Sequence, residues 1–352
     1  MKKSNLYILI AAIALILVLV GILLYAIIPP KETSAGLVFE LSADKESYVV
    51  KDMDNRWVRA LIVPAEYQGK PVSAIGAYAF QNCWRLEKAT LPDTIEAVQS
   101  GAFLDCARLK EIHLPDAVAT IGVRAFSGCK NLSRVTIPAG ATMQIGAFEG
   151  CTNVKEVSAA AEHFGAIPSD KIEVAVISGG AHIHERTFMG FRNLREVTIA
   201  KSIKAIEYLA FNGCEKLERV NIEDLAAWCK IDFAESDANP LRYAKKLYLN
   251  GTLITELVIP EGVERIAPRA FDGCTGIKLI ELPASLKSIG DHAFRGTGIA
   301  SITIGAGVTE MGKYVFYNCA SLTNIYLAVT ELPNTWSAYW AEGSRATVHF
   351  AE

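Results

Sequence analysis

The 352-residue sequence predicts a solenoid: a stack of short coils, α/β in class and rich in strand, behind one transmembrane helix. Three observations predict it. Phenylalanine recurs at Phe80, Phe103, Phe126, Phe148, Phe188, Phe211, Phe271, Phe294 and Phe316, in steps of 23, 23, 22, 40, 23, 60, 23 and 22 residues. A period in the twenties marks stacked repeats, none of which can bury its apolar face alone. Behind each phenylalanine comes a pattern close to Leu-x-x-(Val/Ile)-x-(Ile/Leu), and ahead of all of them runs an uncharged apolar stretch, Leu6 to Ile28.

That stretch opens the chain. Its 23 residues are enough to span a bilayer as a helix. Lys2 and Lys3 precede it, which places the N-terminus in the cytoplasm and the rest outside. A cleaved signal peptide has an apolar core of about 7–15 residues followed by a small-residue cleavage site. Neither is evident, so residues 1–30 are read as a cytoplasmic tip and an uncleaved signal anchor in the cell membrane, with cleavage near Ala26 as the alternative.

Residues 31–57 are read as a linker and an N-terminal cap. Lys31 to Gly36 is short and polar, Leu37–Leu41 alternates as a strand does, and Tyr48-Val49-Val50 is its partner. A solenoid needs such a cap because its first coil would otherwise expose an apolar end.

The repeat gives each position a job. A small residue precedes the phenylalanine in seven copies (Ala79, Ala102, Ala125, Ala147, Ala210, Ala270, Ala293), which lets neighbouring coils approach while the ring fills the space between them. Two residues after the ring every copy has Gly, Asn or Asp, the types that tolerate a left-handed backbone. Three after it seven copies have cysteine, a compact buried filler, with Phe191 and Thr297 as the exceptions. Leu109, Ile112 and Leu114 then exemplify a short strand whose last two apolar residues face inward, closed in several coils by proline, as at Pro115. A second apolar pair, such as Val118 and Ile121 backed by Gly122, leads to the next ring.

Residues 58–327 hold about twelve coils by their strand starts: Val58, Leu86, Leu109, Leu132, Val154, Ile172, Leu194, Leu217, Ile254, Ile277, Ile299 and Leu322. The first has an extra loop, Ala65 to Lys70. The stretch 154–171 is shortened and lacks the Ala-Phe element, and 223–253 is expanded around Trp228-Cys229. There Asn250-Gly251 between apolar runs signals a hairpin. Residues 328–352, with Trp336, Tyr339 and Trp340, are read as a C-terminal cap.

The full string, Ile121-Gly122-x-x-Ala125-Phe126-x-Gly128-Cys129-x-x-Leu132-x-x-Val135-x-Ile137-Pro138, resembles the BspA-like class of bacterial leucine-rich repeat, over roughly Leu37 to Glu352. The resemblance implies a right-handed leucine-rich-repeat solenoid with a parallel sheet on its concave face. For function it implies a tendency toward cell-surface adhesion. The shared motif is a packing motif, so no functional residue is carried over.

The net charge of −3 includes +2 from Lys2 and Lys3, leaving −5 on the rest, and no basic stripe suits nucleic acid. Eight cysteines in an exported chain would ordinarily suggest disulfides. Seven share one repeat position, however, and parallel Cβ vectors about 4.8 Å apart make the disulfide dihedral hard to reach. Buried free thiols are expected.

No catalytic, cofactor or metal site emerges. His182-Ile183-His184 has no third ligand at a recognisable spacing and reads as an exposed pair beside an inward isoleucine. Leu332-Pro333-Asn334-Thr335-Trp336 has tryptophan where a cell-wall sorting signal needs glycine. The Gly305-Ala306-Gly307 pair lacks a phosphate-loop context.

The outward strand positions are more informative. Lys88, Glu111, Arg134 and Glu156 alternate in charge, and Thr90, His113, Thr136 and Ser158 form a polar ladder. Ile172, Val174 and Val176 alternate, so that strand either presents two valines outward or is slipped by one residue. Later coils carry Val258, Leu279, Glu281, Thr303 and Tyr326, apolar and aromatic groups among polar ones, the composition of a protein-binding patch. The expectation is a membrane-anchored, outward-facing scaffold that binds protein or glycan through this face without catalysis. A structural envelope or spacer protein is the first rival, and an enzyme with a cryptic site the second.

Overall fold

A computed structural model of the protein describes residues 32–168 and 170–352. The run 6–28, read above as a transmembrane helix, lies outside the described residues; among those described, no helix is long and apolar enough to cross a membrane. The chain winds as a leucine-rich-repeat β-solenoid of about thirteen turns. It is mostly strand, which corrects the α/β label. Its α-helices among the described residues are Leu225–Trp228 and Leu241–Ala244, each four residues long. The Ala-Phe element closes as a tight turn instead, because Ala125 N–H already bonds Gly122 C=O at 3.2 Å and Phe126 N–H bonds Ala147 C=O of the next coil at 2.8 Å.

Each regular coil contributes two strands. The longer ones build a main sheet of eleven strands, from Glu32–Thr33 and Ala60–Ile62 through Arg219–Ile222 to Leu247–Leu249 and Thr252–Leu253. All its pairs are parallel except the last, the hairpin turning at Asn250 (φ 48°) and Gly251 (φ 82°). The expanded stretch 223–253 therefore supplies a main-sheet strand of its own, which is why twelve coils become about thirteen turns. The same face continues as Glu256–Val258 with Leu279–Glu281, then as Ser301–Ile304 with Asn324–Leu327 and Thr347–His349. Two-residue strands such as Thr120–Ile121, between Ala97–Val98 and Thr142–Met143, form the opposite wall.

Between the walls the phenylalanines stack. Phe103, Phe126 and Phe148 are fully buried, with successive ring centroids 5.1 Å apart and planes 9° and 7° from parallel. The shortened stretch 154–171 keeps an aromatic in this core despite lacking the motif: Phe164, on the 3-10 helix Ala161–Ala166, meets Phe188 at 4.8 Å. In the expanded stretch Trp228 is buried, and its indole N–H donates to Ala270 C=O at 2.9 Å.

All eight cysteines are unpaired and buried. Cys106, Cys129, Cys151, Cys214 and Cys319 donate S–H to the carbonyls of Phe80, Phe103, Phe126, Phe188 and Phe294 at 3.1, 3.3, 3.2, 3.2 and 3.1 Å. Burial pushes the thiols of Cys214, Cys229 and Cys274 up to about 12, so they keep their protons. The cysteine ladder is thus a hydrogen-bond ladder as well as a filler.

At the first end Leu37–Leu41 pairs antiparallel with Tyr48–Met53, which in turn pairs parallel with Lys70–Ile75. At the far end Trp336 and Trp340 are buried in edge-to-face contact at 5.3 Å, while Tyr339 is exposed and stacks on Tyr314 at 6.2 Å.

Candidate interaction face

Along each main-sheet strand one inward residue is flanked by two outward ones, so the outward side chains stand in two rows running from coil to coil. In the first half these rows satisfy one another. The guanidinium of Arg134 lies between Glu156, 2.6 Å from its Nε, and Glu111, 3.5 Å from its Nη1. Arg219 is 3.4 Å from Glu196, and its guanidinium carbon sits 4.3 Å from the centroid of the Tyr248 ring. Exposed pairs of this kind contribute little stability, about 0–1 kcal/mol each. Their value is in register, since a slip by one residue would turn every inward side chain out. A depression of about 330 Å³ is lined by Lys88, Thr90, Glu111, His113, Arg134 and Thr136 within this paired region.

One carboxylate here is buried. Glu87 accepts from Arg59 Nε and from Lys110 Nζ, both at 2.7 Å, tying the first three coils together just before their strands. The Arg59 bond, reinforced by Lys110 and opposed by burial, holds its carboxyl down at about 2.

Val174 and Val176 are half-buried outward residues, in register with Glu156 and Ser158 on one side and with Glu196 and Thr198 on the other. The strand is not slipped. Ile172 belongs to the leucine position before the strand, and the buried pair within it is Ala175 and Ile177.

The later strands carry a different surface. Val258 is 55% exposed, Leu279 40% and Tyr326 44%, and Glu281 and Thr303 are also exposed. Register puts Val258 beside Glu281, Leu279 beside Glu256, and Thr303 beside Tyr326. The five residues therefore form two groups, on the Glu256–Val258/Leu279–Glu281 pair and on the strands from Ser301 onward, with no ladder joining Leu279–Glu281 to Ser301–Ile304. The structure adds His349, which sequence reasoning missed. Its ring stacks on Tyr326 at 4.8 Å and 18°, and its Nε2 lies 2.8 Å from Asn324 Oδ1. It sits on the strand Thr347–His349, beyond the last repeat motif, so periodicity could not flag it.

On the opposite wall His182 and His184 flank buried Ile183, with their Nδ1 atoms 3.4 and 3.2 Å from Glu207 Oε1. Among the described residues no group of three or more His, Cys, Asp or Glu is arranged to hold a metal ion. The sorting-signal look-alike is part of the far cap, where the Trp336 indole N–H donates to Val308 C=O at 3.2 Å.

The sequence model of the BspA type leucine-rich repeat region, in six copies, matches residues 73–170, 169–232 and 244–336. No curated protein matches. Among solved structures, a leucine-rich repeat protein from Bacteroides ovatus is 22% identical over 93% of this chain and 71% of its own, with a TM-score of 0.34. A leucine-rich cell surface protein from Faecalibacterium prausnitzii is 21% identical over 93% of this chain and 96% of its own, also with a TM-score of 0.34. An internalin from Listeria monocytogenes is 10% identical over 87% of each chain, with a TM-score of 0.39. All three TM-scores are below 0.5, and it is the repeat model, matching most of the chain, that shows the family.

Proposed function

We propose that this chain, which belongs to the BspA type leucine-rich-repeat family, is a membrane-anchored, outward-facing scaffold that binds a protein or glycan partner. The family is one of non-catalytic repeat scaffolds. In this reading residues 6–28 hold the protein in the cell membrane with its N-terminus inside, and the later strands that continue the main-sheet face carry the partner. The observation that carries the reading is the contrast in side chains along one face of the solenoid: charges paired with each other in the early coils, and unburied Val258, Leu279 and Tyr326 in the later ones. Solenoids bind through such extended repeat surfaces, and apolar or aromatic groups rimmed by polar ones are where binding energy concentrates.

Two experiments test it. Protease added to intact cells should remove the repeats and leave a short membrane fragment; a mature protein starting near residue 30 in the medium would contradict the anchor. Full-length protein should retain a specific partner from cell-surface extracts. Retention of none from any extract would favour the spacer role.

A further inference from the structure

At the opposite end from the proposed partner face, two tryptophans lie open to solvent. Trp57 is 63% exposed and Trp84 45%, against 1%, 7% and 5% for Trp228, Trp336 and Trp340. The two rings meet edge-to-face at 5.6 Å and 70°. The guanidinium carbon of Arg85 lies 4.6 Å from one ring centroid and 4.9 Å from the other. Leaving two indoles in water costs the apolar burial that either could gain, so the pair invites a surface to cover it.

The chain says which surface is near. Trp57 stands three residues ahead of Ala60, whose partner across the first parallel ladder is Glu32. Glu32 follows the end of the apolar run, Ile28, by four residues, a reach of about 14 Å at full extension. Adjacent strands are about 4.8 Å apart, so the first coil cannot stand far from whatever holds the run. Tryptophan is enriched where a protein meets the headgroup layer, its ring apolar and its N–H wet. Arg85 suits the same layer, which offers phosphate acceptors to a guanidinium. A soluble sugar would instead want open ring faces, and here the guanidinium covers one face of each ring.

We propose that Trp57, Trp84 and Arg85 form an interfacial foot that seats the first coils on the lipid headgroups and fixes how the solenoid stands on the membrane. The proposal rests on the anchor reading of residues 6–28. The anchor itself contains no tryptophan, so the emission lost on replacing Trp57 and Trp84 reports the foot, and Trp228, Trp336 and Trp340 supply the rest.

The full chain is reconstituted into vesicles of phosphatidylcholine and phosphatidylglycerol, with and without headgroup-spin-labelled lipid, beside a Trp57→Phe/Trp84→Phe variant. The labelled lipid should quench the share of emission that the variant lacks and leave the variant's own emission unchanged, with carbonate extraction showing both chains inserted. Inserted protein whose exposed tryptophans answer to acrylamide in the water but not to labelled lipid overturns the foot, leaves the anchor standing and returns the pair to a soluble partner. Equal lipid quenching of both chains overturns it too. A chain that carbonate releases overturns the anchor and the foot together.

Discussion

The strands from Lys88–Thr90 to Glu156–Ala160 belong to one unbroken parallel ladder, while those from Glu256–Val258 to Thr347–His349 fall into a pair and a trio. The cores differ in the same sense. Ring centroids step by 5.1 Å from Phe103 to Phe148, but by 5.7 and 5.9 Å from Phe271 to Phe316. On the surface, Arg134 is held between two glutamates in the first region, whereas Val258 and Leu279 are left open in the second. One repeat thus makes two kinds of coil. In the first the outward charges pair with each other; in the second, where the ladder is interrupted, apolar outward groups stand exposed, and these are the ones proposed above to meet a partner.

The largest effect should come from the rings. Phe126→Ala removes a fully buried ring packed on both sides at 5.1 Å and should cost about 5 kcal/mol, the upper end for such truncations. Phe294→Ala, in the wider stack, should cost nearer about 3 kcal/mol because fewer close contacts are lost. Urea unfolding of the two variants gives the order, and a larger loss for Phe294→Ala would break the comparison.

Next comes Glu87, the buried carboxylate that the first region holds between Arg59 and Lys110. Glu87→Gln should cost about 2 kcal/mol, since hydrogen bonds to a charged partner are worth about 1.5–3 kcal/mol. Its carboxyl is held below the unfolded value of about 4.3, so its contribution is complete above that pH and is lost as pH falls toward about 2. Between those limits the stability of wild type should fall more steeply than that of Glu87→Gln. Parallel curves would show that the Arg59 and Lys110 bonds do not hold the proton off.

The smallest effect concerns the backbone. Arg124 has φ 53° and is 3.4 Å from Glu149 at its Nε. Arg124→Gly relieves a left-handed conformation worth about 1–2 kcal/mol and loses an exposed pair worth about 0–1 kcal/mol. The net gain should be small, about 0.3 kcal/mol, after the added freedom of the unfolded glycine is subtracted. A destabilised variant would mean that the arginine does more than mark a turn.

That arginine also shows what the sequence concealed. Left-handed residues two after each ring were legible because glycine, asparagine or aspartate fills all nine places, and all nine have positive φ, from Asn82 to Asn318. Two before each ring the backbone is equally left-handed, but the residues include Tyr78, Arg124, Leu209, His292 and Tyr314, none a type that advertises it. There the ladder imposes the geometry: Tyr78 N–H must reach Ser100 C=O, and Arg124 N–H must reach Ile145 C=O. Phe164 was hidden because its coil reaches the core from a 3-10 helix instead of the Ala-Phe turn. Repeat periodicity reads what recurs; it is blind to a substitute that fills the same space by another route.

The claim that docking belongs to the later coils is tested most directly by reversing side chains in both regions and measuring binding of the full-length protein to its captured partner. Leu279→Lys with Tyr326→Ala should weaken binding at least about tenfold, roughly 1.4 kcal/mol, with unfolding unchanged. Lys88→Glu with Glu111→Lys, which keeps opposite charges facing across Lys88↔Glu111, should leave binding where it was. If the second pair of changes abolishes binding and the first does not, the docking surface lies on the paired strands and the account is wrong.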